Sequence, residues 1–197
     1  MTATVWLVRH ASTAWTGRRW CGSTDLRLTA GGRVEADRLA ERLAPMLPSD
    51  IELVSSPARR ASETAVIIAR MVGSGASVRI DPALREVDFG EAEGLTWRRL
   101  EQRLPTIAAA LASGAATIDW PGGESIAAMQ GRVSAIRSAI EAATAPVVLV
   151  GHGGLIRSLV AHMVPSHTDI AFMPPASATR LHRDGSSWTI LGARIDA

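Results

Sequence analysis

Two histidines each follow a short apolar segment, and both residues are suited to phosphoryl chemistry. His10 ends the segment TVWLVRH next to Arg9, and His152 ends the segment PVVLVGH. A neutral imidazole is a competent nucleophile toward phosphorus, and a neighbouring arginine disfavours its charged form. The two glycines after His152 allow close backbone approach and begin a helix whose N–H groups can face an anion. Taken singly, His10 is more readily interpreted as a structural histidine, and for His152 the structural and functional interpretations are balanced.

A pair of arginines and an acidic loop offer the other groups that phosphoryl transfer needs. Arg59 and Arg60 follow Ser-Ser-Pro, and a guanidinium group donates paired hydrogen bonds to phosphate while it stays charged. Glu86 lies in LREVDFGEAEG, where a carboxyl group can protonate a leaving alkoxide and then activate water. Residues 86–93 contain four acids, so spacing alone selects neither the acid nor the arginine.

The segments around these residues alternate between strand and helix patterns. Strands are predicted over residues 4–8, 51–56, 78–80 and 146–152, with a closing hairpin that turns at Asp184-Gly185. Helices are predicted after the N-cap Thr29, from Pro57 to about Met71, over 96–113 with a break near Pro105, over 123–143 and after His152. One face of the segment 123–143 holds Ile126, Met129, Val133, Ile136 and Ile140. The alternation predicts a three-layer α/β/α sandwich with a mainly parallel central sheet, in one domain over residues 1–197.

The carboxyl ends of the predicted strands hold the candidate residues. In open α/β sheets the ligand lies beyond those ends. The chain leaves three predicted strands at Arg9-His10, at Ser55-Ser56-Pro57 and at Gly151-His152. We therefore expect these three exits to meet in space.

Six ordered segments of the chain resemble the signatures of one protein family. They are VRHASTAW, WCGSTDLRLTAGG, SSPARRASETA, LREVDFGEAEG, WPGGES and VGHGG, and they run from about residue 5 to residue 157. The first is similar to R-H-G-x-[ST], the third to S-S-P-x-x-R-A-x-x-T-A and the fourth to L-x-E-x-x-F-G-x-x-E-G. Together they identify the chain as resembling the histidine phosphatase (phosphoglycerate mutase-like) superfamily.

The resemblance assigns a role to each candidate. It implies that His10 accepts the phosphoryl group, that Arg9, Arg60 and His152 form the phosphate pocket, and that Glu86 donates the proton. Alignment of the segments places Arg60, and not Arg59, at the arginine of the family. The residues implied to border the substrate are Ser12, Thr13, Thr16, Cys21, Gly22 and Gly153. Two departures stand out, because Ala11 replaces the usual glycine and Thr16 replaces a frequent asparagine.

The function implied is a metal-independent phosphomonoesterase that acts on a small phosphorylated metabolite. Members that are mutases are usually longer than 197 residues, but a phosphoglycerate mutase remains an alternative, as does a non-catalytic module that binds a phosphorylated ligand. WCGSTD and PGGES resemble the α-ribazole phosphatase branch and broad-specificity phosphatases for sugar phosphates or phosphoglycerates. Trp15, Trp20, Trp97 and Trp120 are candidates for an apolar wall of the substrate pocket.

Composition excludes several other classes. All 21 basic residues are arginine, so the pI of about 9.8 reflects the absence of lysine and tyrosine and does not indicate nucleic-acid binding. No apolar stretch approaches the roughly 20 residues of a membrane span, and we expect no membrane partner. No HExxH, paired CxxC or EF-hand pattern occurs, so neither a metal nor another cofactor is expected. The single cysteine and the lack of a signal-peptide pattern favour the cytoplasm, and the sequence is compatible with a homodimer.

Overall fold

One mixed β-sheet lies at the centre of the computed structural model, which describes residues 3–73, 77–115, 117–165, 173–192 and 194–197. Within those ranges the strands are β1 (Ala3–Arg9), β2 (Glu52–Ser55), β3 (Val78–Ile80), β4 (Val147–Gly151), β5 (Ser177–Asp184), β6 (Ser187–Ile190) and β7 (Ile195–Asp196). Their order across the sheet is β3-β2-β4-β1-β5-β6, and β7 also pairs with β5.

The sheet has a parallel half and an antiparallel half. Strands β3, β2, β4 and β1 pair in parallel, and every residue of β4 is buried. Such burial on both faces explains the continuous apolar runs seen in the sequence. Strands β5, β6 and β7 are antiparallel to their neighbours, and the predicted hairpin turns at Gly185, whose φ is 60°. The predicted α/β fold is confirmed, but the sheet is mixed rather than mainly parallel, with three parallel and three antiparallel pairings among the described strands. The parallel strands form the half that ends in the candidate residues.

The helices begin and end close to the predicted positions. They are α1 (Ala30–Leu43), α2 (Arg59–Val72), α3 (Trp97–Arg103), α4 (Pro105–Ala112), α5 (Ile126–Ala142) and α6 (Gly153–Met163). Thr29 is the N-cap of α1, and its hydroxyl accepts from the Gly32 N–H at 2.9 Å. The predicted break near Pro105 is confirmed, whereas α2 begins two residues after Pro57.

Alternate residues of the central strands face two different helix layers. Val5 and Leu7 of β1 belong to a core that also contains buried residues of α5 and α6. Trp6 and Val8 face the other way, into a core shared with α1 and α2. The period of two along β1 therefore builds both cores and gives the three predicted layers.

Helix α5 differs from its sequence prediction at its amino-terminal end. Val133, Ile136 and Ile140 are buried as predicted. Ile126 and Met129, on the same predicted face, are only half-buried and line a large cavity. The first turn of α5 thus faces the cavity, and its apolar residues are available to a ligand.

A third apolar cluster follows the proton-donor candidate Glu86 in the chain. Its members are Val87, Phe89, Ala92, Leu95, Leu100, Ile107, Ala108 and Trp120. Two glycines let the loop 88–90 contact the loop 121–123. A Cβ on Gly90 would lie 2.2 Å from the carbonyl oxygen of Pro121, and a Cβ on Gly123 would lie 2.3 Å from the carbonyl oxygen of Asp88. Close backbone approach therefore explains both the Phe-Gly and the Pro-Gly-Gly segments.

None of the helices in the described ranges is long and apolar enough to span a membrane.

Candidate active site

The three strand exits meet at one edge of the sheet, as the sequence predicted. The His10 N–H donates to the Gly151 carbonyl at 2.9 Å, and the Ser56 N–H donates to the Val150 carbonyl at the same distance. The ring centroids of His10 and His152 lie 5.1 Å apart, with the rings edge to face. The two histidines, 142 positions apart in the chain, therefore belong to one site.

The His10 ring is held in the tautomer that a nucleophile requires. Its Nδ1 lies 2.8 Å from the Ala11 carbonyl oxygen. Because a carbonyl only accepts, Nδ1 carries the proton and Nε2 keeps a lone pair. Burial, and then the positive charges of Arg60 and Arg9, lower the pKa of His10 to about 3. The ring is therefore neutral, and it lines the cavity.

The His152 ring is fully buried, and its two nitrogens are assigned by their partners. Nε of Arg60 donates to Nδ1 at 3.2 Å, so Nδ1 must accept. Nε2 then carries the proton and donates to the Ser56 hydroxyl oxygen at 2.8 Å. Burial lowers the pKa of His152 well below its usual value, and the nearby His10 and Arg60 lower it further.

Arg60 lies at the centre of a carbonyl cage. Its guanidinium donates to the carbonyl oxygens of Cys21, Gly22 and Thr24, at 3.3, 2.9 and 2.8 Å. The side chain is buried, whereas Arg59 is exposed. The fold thus distinguishes two adjacent arginines that composition alone leaves equivalent.

Arg9 is the cation that lines the cavity beside His10. Its guanidinium donates to the Met173 carbonyl, and burial lowers its pKa from the ordinary value. A Cβ on Gly153 would lie 3.3 Å from both Cζ and Nε of Arg9. The first glycine after His152 therefore leaves room for this guanidinium group.

The carboxylate of Glu86 is held at the amino terminus of α6. Oε1 accepts from the N–H groups of Leu155, at 3.0 Å, and Val87, at 2.9 Å, while Oε2 accepts from Gly154 at 3.1 Å. A Cβ on Gly154 would lie 2.7 Å from Oε1. Free N–H groups at a helix start attract a negative charge, and the second glycine allows the carboxylate to reach them.

A cavity of about 660 Å³ opens over these residues. Its reactive end is lined by Arg9, His10, Glu86 and Gly153, with Arg60 and His152 buried behind His10. Among the described residues, no group of three or more His, Cys, Asp or Glu side chains is arranged to hold a metal ion. The arrangement places an imidazole with an unprotonated nitrogen, cationic donors and the Glu86 carboxylate around a single space.

The family model described as "Histidine phosphatase superfamily (branch 1)" matches residues 5–196. The chain belongs to the histidine phosphatase superfamily.

Relatives within this superfamily cover nearly the whole chain. The phosphoglycerate mutase-like protein 4 of Arabidopsis thaliana is 34% identical, over 95% of this chain and 83% of its own. The glucosyl-3-phosphoglycerate phosphatase of Mycobacterium tuberculosis is 33% identical, over 94% of this chain and 83% of its own. A solved structure described as mycobacterial hydrolase 1 is similar with a TM-score of 0.87 and 31% identity, and all of both chains is covered.

The six substrate-border residues implied by the histidine phosphatase resemblance occupy two kinds of position. Thr13, Thr16, Cys21 and Gly153 line the cavity. Ser12 and Gly22 are not among its lining residues, and their N–H groups donate to the carboxylates of Glu35 and Glu93. Four of the six residues therefore line the cavity, whereas Ser12 and Gly22 lie outside its lining and use their backbone N–H groups to bind glutamate side chains.

The two departures from the histidine phosphatase pattern are accommodated without strain. Ala11 is buried, has no positive φ, and donates its N–H to the Thr64 hydroxyl at 3.2 Å. The Thr16 hydroxyl accepts from the Thr13 N–H at 2.9 Å. Thr16 thus stabilises the loop that carries Thr13, in addition to lining the cavity.

Glu93 has a structural role in this histidine phosphatase site that the sequence interpretation missed. Its carboxylate accepts from the Gly22 N–H at 2.7 Å, the Thr24 N–H at 3.0 Å and the Thr24 hydroxyl at 2.6 Å. It therefore holds the loop whose carbonyls surround Arg60. The only sequence signal was its place in LREVDFGEAEG, where it resembled one more solvated acid.

Glu124 is a second acid that the sequence interpretation left without a role. It is buried and lines the cavity, and Arg132 donates to both of its oxygens. Arg132 also donates to the carbonyls of Ala83 and Arg85. The pair therefore connects α5 to the segment that leads into Glu86.

Proposed function

We propose that this chain is a phosphomonoesterase that hydrolyses a small phosphorylated metabolite through a phosphohistidine on His10. The observation that carries the proposal is the Nδ1 bond of His10 to the Ala11 carbonyl. It leaves Nε2 with an unshared lone pair on a ring whose pKa is lowered to about 3. A buried histidine with a purely structural role has no need of a free nitrogen beside two arginines.

The surrounding cations suit the charge of a phosphoryl group in transfer. Negative charge on the three equatorial oxygens is best met by donors that are already in place before the reaction. Arg9 and Arg60 are fixed by backbone carbonyls, so neither has to reorganise. His152 holds Arg60 in this position, because its Nδ1 accepts from Nε of Arg60 while its Nε2 donates to Ser56.

In the first step, Nε2 of His10 attacks phosphorus in line with the bond to the departing alcohol. The N–P bond forms as that P–O bond breaks, and a protonated Glu86 gives its proton to the leaving oxygen. Oε2 of Glu86 accepts only one of the three N–H bonds to this carboxylate. Oε2 is therefore the oxygen with a lone pair left to hold the transferred proton.

In the second step, the ionised Glu86 takes a proton from a water molecule whose oxygen attacks the phosphorus. The N–P bond breaks, and its electron pair returns to Nε2 as inorganic phosphate forms. The step regenerates neutral His10 and protonated Glu86. No metal or organic cofactor enters this balance.

The names of the relatives favour a phosphatase and keep a mutase as the second candidate. One is named glucosyl-3-phosphoglycerate phosphatase and another phosphoglycerate mutase-like protein 4. A mutase must keep its phosphohistidine from water, and the wide cavity over His10 gives water access. Interconversion of phosphoglycerates that depends on a bisphosphoglycerate would favour the mutase.

We also propose a reducing compartment such as the cytoplasm, which suits a lone thiol at Cys21.

The decisive experiment follows the covalent intermediate. Wild-type protein is mixed with p-nitrophenyl phosphate in the presence of a chelator, and the intact mass is measured after a rapid quench at high pH. We expect turnover and a mass increase of one phosphoryl group. His10→Asn, whose amide can still donate to the Ala11 carbonyl, should show neither. Turnover by this variant would disprove the role of His10, and an inactive wild-type protein would favour the binding module.

A further inference from the structure

The wall of the cavity next to Glu86 is apolar. Val87 follows Glu86 directly and donates its N–H to the Glu86 carboxylate, and Phe89 comes two residues later. Both line the cavity. Because Glu86 is the group proposed to protonate the leaving oxygen, the atoms attached to that oxygen must lie beside it. The residues around Glu86 therefore report on the alcohol part of the substrate.

Three aromatic rings continue this wall. The ring of Phe89 lies 4.8 Å from that of Trp120 and 5.2 Å from that of Trp20, and both pairs are edge to face. Trp20 and Trp120 are tilted against each other at 5.5 Å. Trp20 is only half-buried, so part of its indole surface faces the cavity. Half-exposed aromatic surface of this kind favours a planar apolar ligand.

Aliphatic side chains from three other segments face the same space. They are Leu111 of α4, Ile118, and Ile126, Met129 and Val133 of α5. Helix α5 thus turns Ile126 and Met129 of its first turn toward the cavity, whereas Val133 borders the cavity from the core beside the sheet. A volume of about 660 Å³ lies within the range of about 300–1,000 Å³ that encloses a drug-sized ligand.

Arg18, Arg19 and Arg157 line the remainder of the cavity, and the last two donate hydrogen bonds to backbone carbonyls. Arg19 donates to the Gly94 carbonyl at 2.8 Å and lies over the Trp15 ring. Arg157 donates to the Ala115 carbonyl at 2.9 Å and to Gly114 at 3.3 Å. A guanidinium group has five N–H donors, so these arginines keep donors for a carboxylate, and an acidic alcohol such as a glycerate is the competing class that the experiment must separate.

We propose that the substrate is a phosphomonoester whose alcohol part is bulky and apolar and contains a planar ring system. This inference rests on the proposed function of the site. The ring system lies between the aromatic wall and the aliphatic residues of α5, and the ester oxygen lies at Glu86. Burial of one aromatic group contributes enough binding free energy to determine which of several equally reactive monoesters has the highest kcat/KM.

The test compares two primary alkyl phosphates whose leaving groups have similar reactivity. They are 2-(1-naphthyl)ethyl phosphate and glycerol 3-phosphate, with 3-phosphoglycerate as an acidic third ester. We expect kcat/KM for the naphthyl ester to exceed those of both other esters by roughly 100-fold, most of it in KM. Matching the leaving groups ensures that the ratio reports binding of the alcohol and not its basicity.

Two matched variants locate the source of the preference. Ile126→Gln places an amide on the cavity side of α5 and should reduce the naphthyl-to-glycerol ratio by about fivefold or more. Val66→Gln makes a similar change on α2, where the side chain is 39% exposed and is not among those lining the cavity. It should leave the ratio unchanged. Thermal melting of both variants checks that each remains folded.

The outcomes separate the inference from the proposed function. Equal or higher kcat/KM on glycerol 3-phosphate or 3-phosphoglycerate, with p-nitrophenyl phosphate turned over, overturns the inference and leaves the phosphatase standing. A preference for the naphthyl ester that Ile126→Gln does not reduce, or that Val66→Gln reduces equally, also overturns it. Absence of turnover on every ester, p-nitrophenyl phosphate included, overturns both.

Discussion

Nε of Arg60 donates to Nδ1 of His152 across 3.2 Å, and this bond fixes the tautomer of the second histidine. Since an arginine never accepts, Nδ1 is unprotonated and Nε2 donates to Ser56. The same guanidinium is held by the carbonyls of the loop 21–24. Arg60 therefore connects one wall of the site to the histidine of the other, and its geometry matters as much as its charge.

Replacing Arg60 with lysine keeps the positive charge but removes the planar guanidinium group and its fixed N–H donors. A lysine ammonium cannot hold His152 and three carbonyls at once, because it has three donors on a flexible stem. We expect kcat/KM on p-nitrophenyl phosphate to fall by roughly 10²–10³-fold, as for loss of one preorganised donor. Steady-state kinetics checks this. Arg59→Lys is the matched control, since Arg59 is adjacent but exposed, and an equal loss in both variants would contradict the role of Arg60.

Glu86→Gln removes the proposed proton without removing the side chain. The loss of kcat should be much larger for a primary alkyl phosphate than for p-nitrophenyl phosphate, whose departing oxygen needs little protonation. The measurement is kcat for both esters in both proteins. Similar losses on the two esters would instead indicate that Glu86 only stabilises the start of α6, where it accepts from Gly154 and Leu155.

Glu93→Gln tests whether the loop around Arg60 is positioned by a carboxylate. Glu93 accepts three hydrogen bonds from Gly22 and Thr24, and an amide can replace only part of them. We expect kcat to fall by roughly tenfold or more while KM changes little, because displaced donors act mainly in the transition state. Glu91→Gln, two residues earlier and exposed, should leave kcat unchanged. Rescue by Glu93→Asp would support positioning, and a kcat unaffected by Glu93→Gln would refute it.

Gly154→Ala tests the close contact between α6 and Glu86. The new Cβ would lie 2.7 Å from Oε1 of Glu86 and 3.0 Å from Cγ2 of Val87, so the carboxylate must shift. A shift near 1 Å in a catalytic group costs roughly 10²-fold in rate, and we expect that loss on alkyl phosphates. Gly131→Ala, on α5 with open space around it, should keep full activity and raise the free energy of unfolding by about 0.5–1 kcal/mol. Unchanged kcat in Gly154→Ala would contradict the placement of Glu86.

Stability should fall as the medium becomes acidic, because His10 is buried in its neutral form. His10 is protonated near pH 6.5 when unfolded, but only near pH 3 in the fold. Between these values the unfolded chain binds more protons, so acid favours unfolding. One such group lowers the free energy of unfolding by up to about 1.4 kcal/mol per pH unit. The stability is fully present above pH 6.5 and is lost progressively as the pH falls toward 3.

Urea denaturation at several pH values between 4 and 7 measures this dependence. His152, whose pKa is also lowered, contributes in the same direction. His10→Asn should therefore reduce the slope of the free energy of unfolding against pH by the contribution of about one proton. The contribution of His152 should remain. Parallel curves for the two proteins would mean that the His10 ring already titrates in the fold near its usual pKa.

The sequence by itself determined the family, the order of the main elements and the candidate residues at the ends of the strands. Apolar runs that end at His10 and His152 required buried parallel strands, and strands of that kind bring their carboxyl ends together. Local chemistry also fixed the N-cap at Thr29 and the break at Pro105, because a capping hydroxyl and a missing N–H act within a few residues.

Only the tertiary structure decided which nitrogen of each histidine is protonated, which backbone groups each acid binds and which residues line the cavity beside Glu86. Glu86 and Glu93 sit in one acidic segment, yet one meets the N–H groups of α6 and the other those of Gly22 and Thr24. Ile126 fits the buried stripe of α5 by period but faces the cavity. These outcomes depend on contacts between residues far apart in the chain, which neither residue type nor spacing encodes.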